Sequence, residues 1–254
     1  SLPDRQPEAG SAAPAAGGFR HAIVFSPHPD DEVIACGGTI AALTRAGTRV
    51  TTVFATDGAM SHLAVLGIPK DPAPAELARI RRGEALAAAD VMGVDRGDVV
   101  FLDFPDTRLA DHLPAFEERV TQLLSDLGDI DVVYLPHETR ELNADHRLTG
   151  EVVGRVLNRL GRCPALRRFV IWDEQTETEF QFVNRADTDA RPQQDEPRTA
   201  VDISDYLDVK NKALDQHRTQ VTLFSPAQTR TVVPEAFAER VRTTTIEEFW
   251  THGR

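Results

Sequence analysis

Seven consecutive residues, Ser26-Pro27-His28-Pro29-Asp30-Asp31-Glu32, set one imidazole and three carboxylates directly behind the apolar run Ala22-Ile23-Val24-Phe25. An imidazole nitrogen and a carboxylate oxygen both suit zinc or another divalent cation, so His28 and Asp31 read as two metal ligands. Asp30, between them, is left free as a base. A hydrolytic zinc site takes about three protein ligands and keeps one position open for water, so a third ligand has to come from elsewhere. His146 is the best candidate, in Asn143-Ala144-Asp145-His146-Arg147 after a second apolar run, Val132-Val133-Tyr134-Leu135. His137 is next in line. The chemistry of such a set is hydrolysis: a bound cation lowers the pKa of water from about 15.7 towards about 7, and Asp30 takes the proton.

Elements must bring these segments together. Apolar or β-rich runs at 21–26, 49–55, 99–103 and 131–135 each end in turn chemistry, and helical periodicity fills 32–46, 75–92, 113–127 and 146–160 between them. That alternation predicts an α/β fold, a mostly parallel sheet with helices on both faces, as a single domain over 19–254. Right-handed crossovers would gather the strand ends on one side, where open α/β sheets place their chemistry. Further strands are expected at 167–172, 199–203 and 244–250, and helices at about 205–219 and 234–241. The polar stretch 173–198 reads as a variable surface loop, with a cover over the pocket or an edge hairpin as alternatives. Residues 1–18, rich in Ala, Pro and Gly, carry no apolar period and read as a disordered tail.

An ordered series of motifs resembles the LmbE-like (PIG-L) family of zinc-dependent deacetylases. It runs through Pro27-His28-Pro29-Asp30-Asp31-Glu32, Ala35-Cys36-Gly37-Gly38-Thr39-Ile40, Ala55-Thr56-Asp57-Gly58 and Asp145-His146-Arg147. Arg81-Arg82-Gly83-Glu84, Phe101-Leu102-Asp103-Phe104-Pro105-Asp106 and His217-Arg218-Thr219-Gln220 follow the same order. The resemblance implies a Rossmann-like fold and removal of an N-acyl group, usually acetyl, from an amino-sugar derivative. It implies His28, Asp31 and His146 as metal ligands and Asp30 as general base. Many relatives carry a histidine three residues before the last ligand, and this chain has Asn143, which can donate one hydrogen bond to an oxyanion but cannot act as an imidazolium acid. The resemblance makes His217 a catalytic substitute for that histidine and Arg81 a contact to substrate oxygens. Asp106, in the loop after 99–103, and His137 are further candidate substrate contacts.

A formal net charge of −12, with no basic block to offset it, argues against nucleic acid or an anionic membrane surface as partner. A small N-acylated amino-sugar substrate in a lined pocket fits better, and a homo-oligomer is compatible with the composition. Two cysteines, Cys36 and Cys163, provide neither a bridge framework nor a zinc pattern. No signal-peptide pattern is visible, so cytoplasm is the default compartment, although Ser1 in place of Met leaves a removed leader open. Two alternatives stand beside the deacetylase. One is a related amidase for a larger acyl group or a thiol conjugate; the other is a non-catalytic phosphate-binding module, which lacks a G-x-G-x-x-G after the first strand.

Overall fold

The first strand, β1 (His21–Ser26), is buried along its whole length. Its side chains alternate between two cores: Ala22 and Val24 enter one, Ile23 and Phe25 the other. A strand covered on both faces reads as a continuous apolar run, and this one does. The computed structural model describes residues 18–251 apart from 194, so all but the last residue of the expected tail 1–18 lies outside the described residues.

The remaining strands are β2 (Arg49–Thr56), β3 (Val99–Phe104), β4 (Val132–Pro136), β5 (Ala165–Phe169), β6 (Arg198–Asp202) and β7 (Ile246–Trp250). They form one seven-stranded sheet in the order β3-β2-β1-β4-β5-β7-β6. β1 to β5 pair in parallel, and β7 runs antiparallel between β5 and β6. The chain winds outward from β1 through β2 to β3, then returns to place β4 on the other side of β1. This reversal makes a crevice beyond the carboxyl ends of β1 and β4.

Helices α1 (Asp31–Arg45) and α2 (Pro74–Met92) cover one face together with α6 (Leu207–Leu214) and α8 (Glu235–Thr243). α3 (Leu113–Asp126) and α4 (Ala144–Arg159) cover the other. α4 can lie close to the end of β4 because residue 150 is glycine, where an added Cβ would stand 2.2 Å from the Pro136 carbonyl oxygen. Among the described residues no helix is long and apolar enough to cross a membrane.

Three expectations are corrected. The stretch 173–198 is not all loop: α5 (Glu174–Phe180) starts at an Asp173 cap that accepts from the Thr176 amide at 2.8 Å. The helix expected at 205–219 breaks into α6 and a short α7 (Arg218–Val221), leaving His217 in the gap. The strand expected at 167–172 ends at Phe169.

Candidate metal and catalytic centre

Both polar segments arrive at the β1/β4 crevice on helix starts. α1 opens at Asp31, immediately after the loop that leaves β1. α4 is capped by Asn143, whose Oδ1 accepts from the Asp145 amide at 3.0 Å and faces the His146 amide at 3.5 Å. That cap fixes His146 in the first turn, where a one-turn error would carry its ring out of the crevice.

The ring nitrogens sort themselves by their partners. His28 Nε2 lies 3.1 Å from Asp145 Oδ2 and 3.2 Å from Asp106 Oδ1, and a carboxylate only accepts, so this nitrogen carries a proton. His146 Nδ1 lies 3.1 Å from Glu141 Oε1 and likewise donates. Glu141 is itself held by the amides of Ile171 and Trp172, each at 2.8 Å. The two remaining nitrogens, His28 Nδ1 and His146 Nε2, turn on the same atom, Asp31 Oδ2, at 3.2 and 3.0 Å. His146 Nε2 is buried, and its 3.0 Å contact with Asp31 lies outside hydrogen-bond geometry.

Two imidazole lone pairs cannot both be directed at a carboxylate oxygen without positive charge between them. Protons or a cation must supply it. Burial opposes a proton on His28, yet Asp106, Asp145 and Asp31 hold its pKa well above the ordinary value. Burial opposes it on His146 too, and Asp31 with Glu141 raises that ring to about 9. Asp31 is held far below the carboxylate range by the two rings, although burial works the other way. The same negative field suits a divalent cation, and His28, Asp31 and His146 offer one ligand atom each, all within 4.8 Å of one another. This donor set fits zinc, with the outer carboxylates fixing the tautomers as they do at histidine metal sites.

Asp30 sits beside this trio with φ 141°, outside the regions a non-glycine residue prefers. Its amide donates to Glu32 Oε2 at 3.0 Å, and its carboxylate lies 3.3 Å from the Arg81 guanidinium. Burial pushes Asp30 up to about 7, with Arg81 and His217 opposing and Asp31 and Glu32 assisting. Arg81 also donates to the carbonyls of Pro29 and Gly58. Gly58 has φ +65°, and a Cβ there would stand 2.7 Å from Arg81 Nη1, so the guanidinium reaches its place over a bare backbone.

His28, Asp30, Asp31, Arg81, Asp106 and Asn143 line one cavity, while His146 is fully buried and does not line it. Residues 23–157, more than half of the chain, match the family described as GlcNAc-PI de-N-acetylase, PIG-L. The chain belongs to this family. It is 27% identical over 234 residues to the probable N-acetyl-alpha-D-glucosaminyl L-malate deacetylase 2 of Bacillus cereus, covering 92% of this chain and 98% of that protein. It is 30% identical over 198 residues to the diacetylchitobiose deacetylase of Thermococcus kodakarensis, covering 78% and 69%. The solved N,N'-diacetylchitobiose deacetylase from Pyrococcus horikoshii superposes with a TM-score of 0.54 at 26% identity, over 79% of this chain and 70% of that one.

Within this PIG-L chain three expected site residues do not line the cavity: His146, which reaches Asp31 from a fully buried position, His137 and His217. His137 is buried with both ring nitrogens engaged: Nε2 lies 2.8 Å from Glu196 Oε2, and Nδ1 accepts from the Thr139 amide at 3.2 Å. It does not line the cavity. His217 is fully buried behind the loop, its Nε2 3.2 Å from Glu32 Oε1, and does not line the cavity either. Burial works against charge on this ring, but Glu32, Asp30 and Glu84 raise its pKa. Asp106 does line the cavity, with one oxygen facing His28 and the other accepting from the Met60 amide at 2.8 Å. Burial pushes Asp106 up, but the His28 ring and Arg81 bring it below the ordinary range.

The sequence reading assigns no role to Glu141, Asp145 or Glu32. Asp145 adjoins His146 in a quoted motif, and an acid next to a ligand was the signal available. Nothing in the local sequence marks Glu141 as the partner of His146.

Proposed function

We propose that the chain is a zinc-dependent N-deacylase that removes an N-acyl group, acetyl in the simplest case, from a small amino-sugar derivative. The observation that carries the reading is the convergence of His28 Nδ1 and the buried His146 Nε2 on Asp31 Oδ2, a residue that lines the same cavity as Asp30. When bound there, the cation supplies Lewis-acid polarisation and a water acidic enough to react near neutral pH.

The chain's own residues do the rest. Asp30 accepts the proton that the attacking water loses and delivers it to the amine as the amide C–N bond breaks, so one group acts as base and then as acid. Arg81 orients the Asp30 carboxylate, and Glu32 orients its backbone. Asn143 has its Oδ1 committed to the helix cap, while its Nδ2 makes no hydrogen bond among the described residues and is available to the developing oxyanion. In this reading His217 acts through Glu32, and Arg81 serves Asp30 before it serves substrate. The products are a carboxylate and a free amine. Cytoplasm remains the proposed compartment.

Amine release from a panel of N-acetylated amino sugars, measured before and after chelation, tests the proposal. Chelator-sensitive release restored by zinc is expected. Release that is indifferent to chelation would overturn the role given to the cation. The larger-acyl alternative keeps the same centre and is favoured by one observation, the apolar wall of the cavity.

A further inference from the structure

The cavity has two kinds of lining. Besides its polar residues the lining includes Ile34, Val65, Trp172, Phe180, Phe182 and Val232. Trp172 joins the two halves: its ring centroid is 6.4 Å from that of His146, and it packs on Phe180 at 4.7 Å and Phe182 at 5.9 Å. The aromatic surface therefore begins beside His146 and takes in Phe180, the last residue of α5, and Phe182 just after that helix.

The polar side has little left to offer a bare sugar. Arg81 is engaged by Asp30 and two carbonyls, Asp106 by His28 and the Met60 amide. Gln220 Nε2 donates to Ser61 and Thr219 at 3.1 and 2.8 Å. Asn143 Nδ2, Gln220 Oε1 and the Thr107 hydroxyl remain uncommitted among the described lining residues, while the Ser61 hydroxyl already accepts from Gln220. A sugar ring with several hydroxyls would leave some without partners while facing an aromatic wall, which is costly on both counts.

We infer that the natural substrate carries an apolar alkyl or aryl group, attached to the N-acyl amino sugar, that packs on the Trp172–Phe180–Phe182 wall. This rests on the deacylase reading above. The group has two chemical sources, a long acyl chain on the nitrogen or an apolar aglycone, and both present the same hydrocarbon to the wall.

Two substrate series, assayed with the zinc-loaded full chain, separate them: N-acyl glucosamines from acetyl to octanoyl, and N-acetylglucosamine glycosides from methyl to octyl. In one series kcat/KM is expected to rise roughly three- to fourfold per added methylene until the wall is covered. The series that rises identifies the source. Phe182→Ser is expected to flatten the slope, whereas Leu223→Ser, at an exposed position off the cavity, leaves it unchanged. A flat or falling dependence in both series, with chelator-sensitive release from the short members, overturns the inference and leaves the deacylase reading intact. If no member releases amine, the deacylase reading falls, and fluorescence decides the wall. With only two tryptophans, Trp250→Phe leaves Trp172 as the reporter. Quenching by the hexyl glycoside where the methyl glycoside is silent supports the inference; equal responses overturn it.

Discussion

α1 carries a buried charged cluster at each of two levels, and they are built oppositely. Midway along the helix, Glu247 Oε1 accepts from the Gly38 amide at 3.0 Å and Lys210 Nζ at 2.8 Å. Its Oε2 accepts from the Thr39 amide at 2.8 Å and the Thr39 hydroxyl at 2.5 Å. One anion meets one cation and every lone pair has a partner, so the cluster is closed. At the helix start, His28 meets Asp31, Asp106 and Asp145, His146 meets Asp31 and Glu141, and one imidazole nitrogen is left without a hydrogen bond. Buried charge alone does not mark a functional site. An excess of one sign around a ligand atom that makes no hydrogen bond does.

Substitutions can break or sharpen this contrast. Asp30→Asn, which keeps size and the backbone amide, is expected to lower kcat by about 10²–10⁴-fold while metal content stays near wild type; parallel rate and elemental measurements check it. Loss of metal would mean that base and ligand have been interchanged. On the closed cluster, Lys210→Met strands a buried carboxylate and is expected to cost about 3–5 kcal/mol in denaturant unfolding, with metal affinity unchanged. A weaker metal site in that variant would show that the two levels of α1 are coupled.

Asn143→Ser separates capping from catalysis. Serine retains the cap, so stability should hold, while loss of the Nδ2 donor should lower kcat by roughly 10²–10³-fold. An unchanged rate would remove Asn143 from the oxyanion. The smallest effect is expected from Glu141→Gln, which weakens the orientation of His146 and should reduce metal affinity by about 10–100-fold, read by competition with a chelating dye.

The open cluster was legible in sequence to an unequal degree. His28, Asp30 and Asp31 lie in one heptapeptide behind a buried strand, and His146 follows another, so the β1/β4 convergence follows from strand and helix periodicity. The rest depends on distant partners. His137 is taken up by Glu196, 59 residues further on, and His217 by Glu32, 185 residues earlier. No local pattern announces either pairing. Likewise α5, Glu-Gln-Thr-Glu-Thr-Glu-Phe, has one apolar residue in seven and no stripe to detect; its place is set by the Asp173 cap and by Phe180 packing on Trp172 and Phe237.

The most direct test of the open cluster is the metal content of the purified chain after zinc loading and dialysis, compared with His146→Ala. The account predicts close to one zinc per chain in the parent and a large loss in the variant. A parent that binds no metal, or a variant that retains a full equivalent, would contradict it.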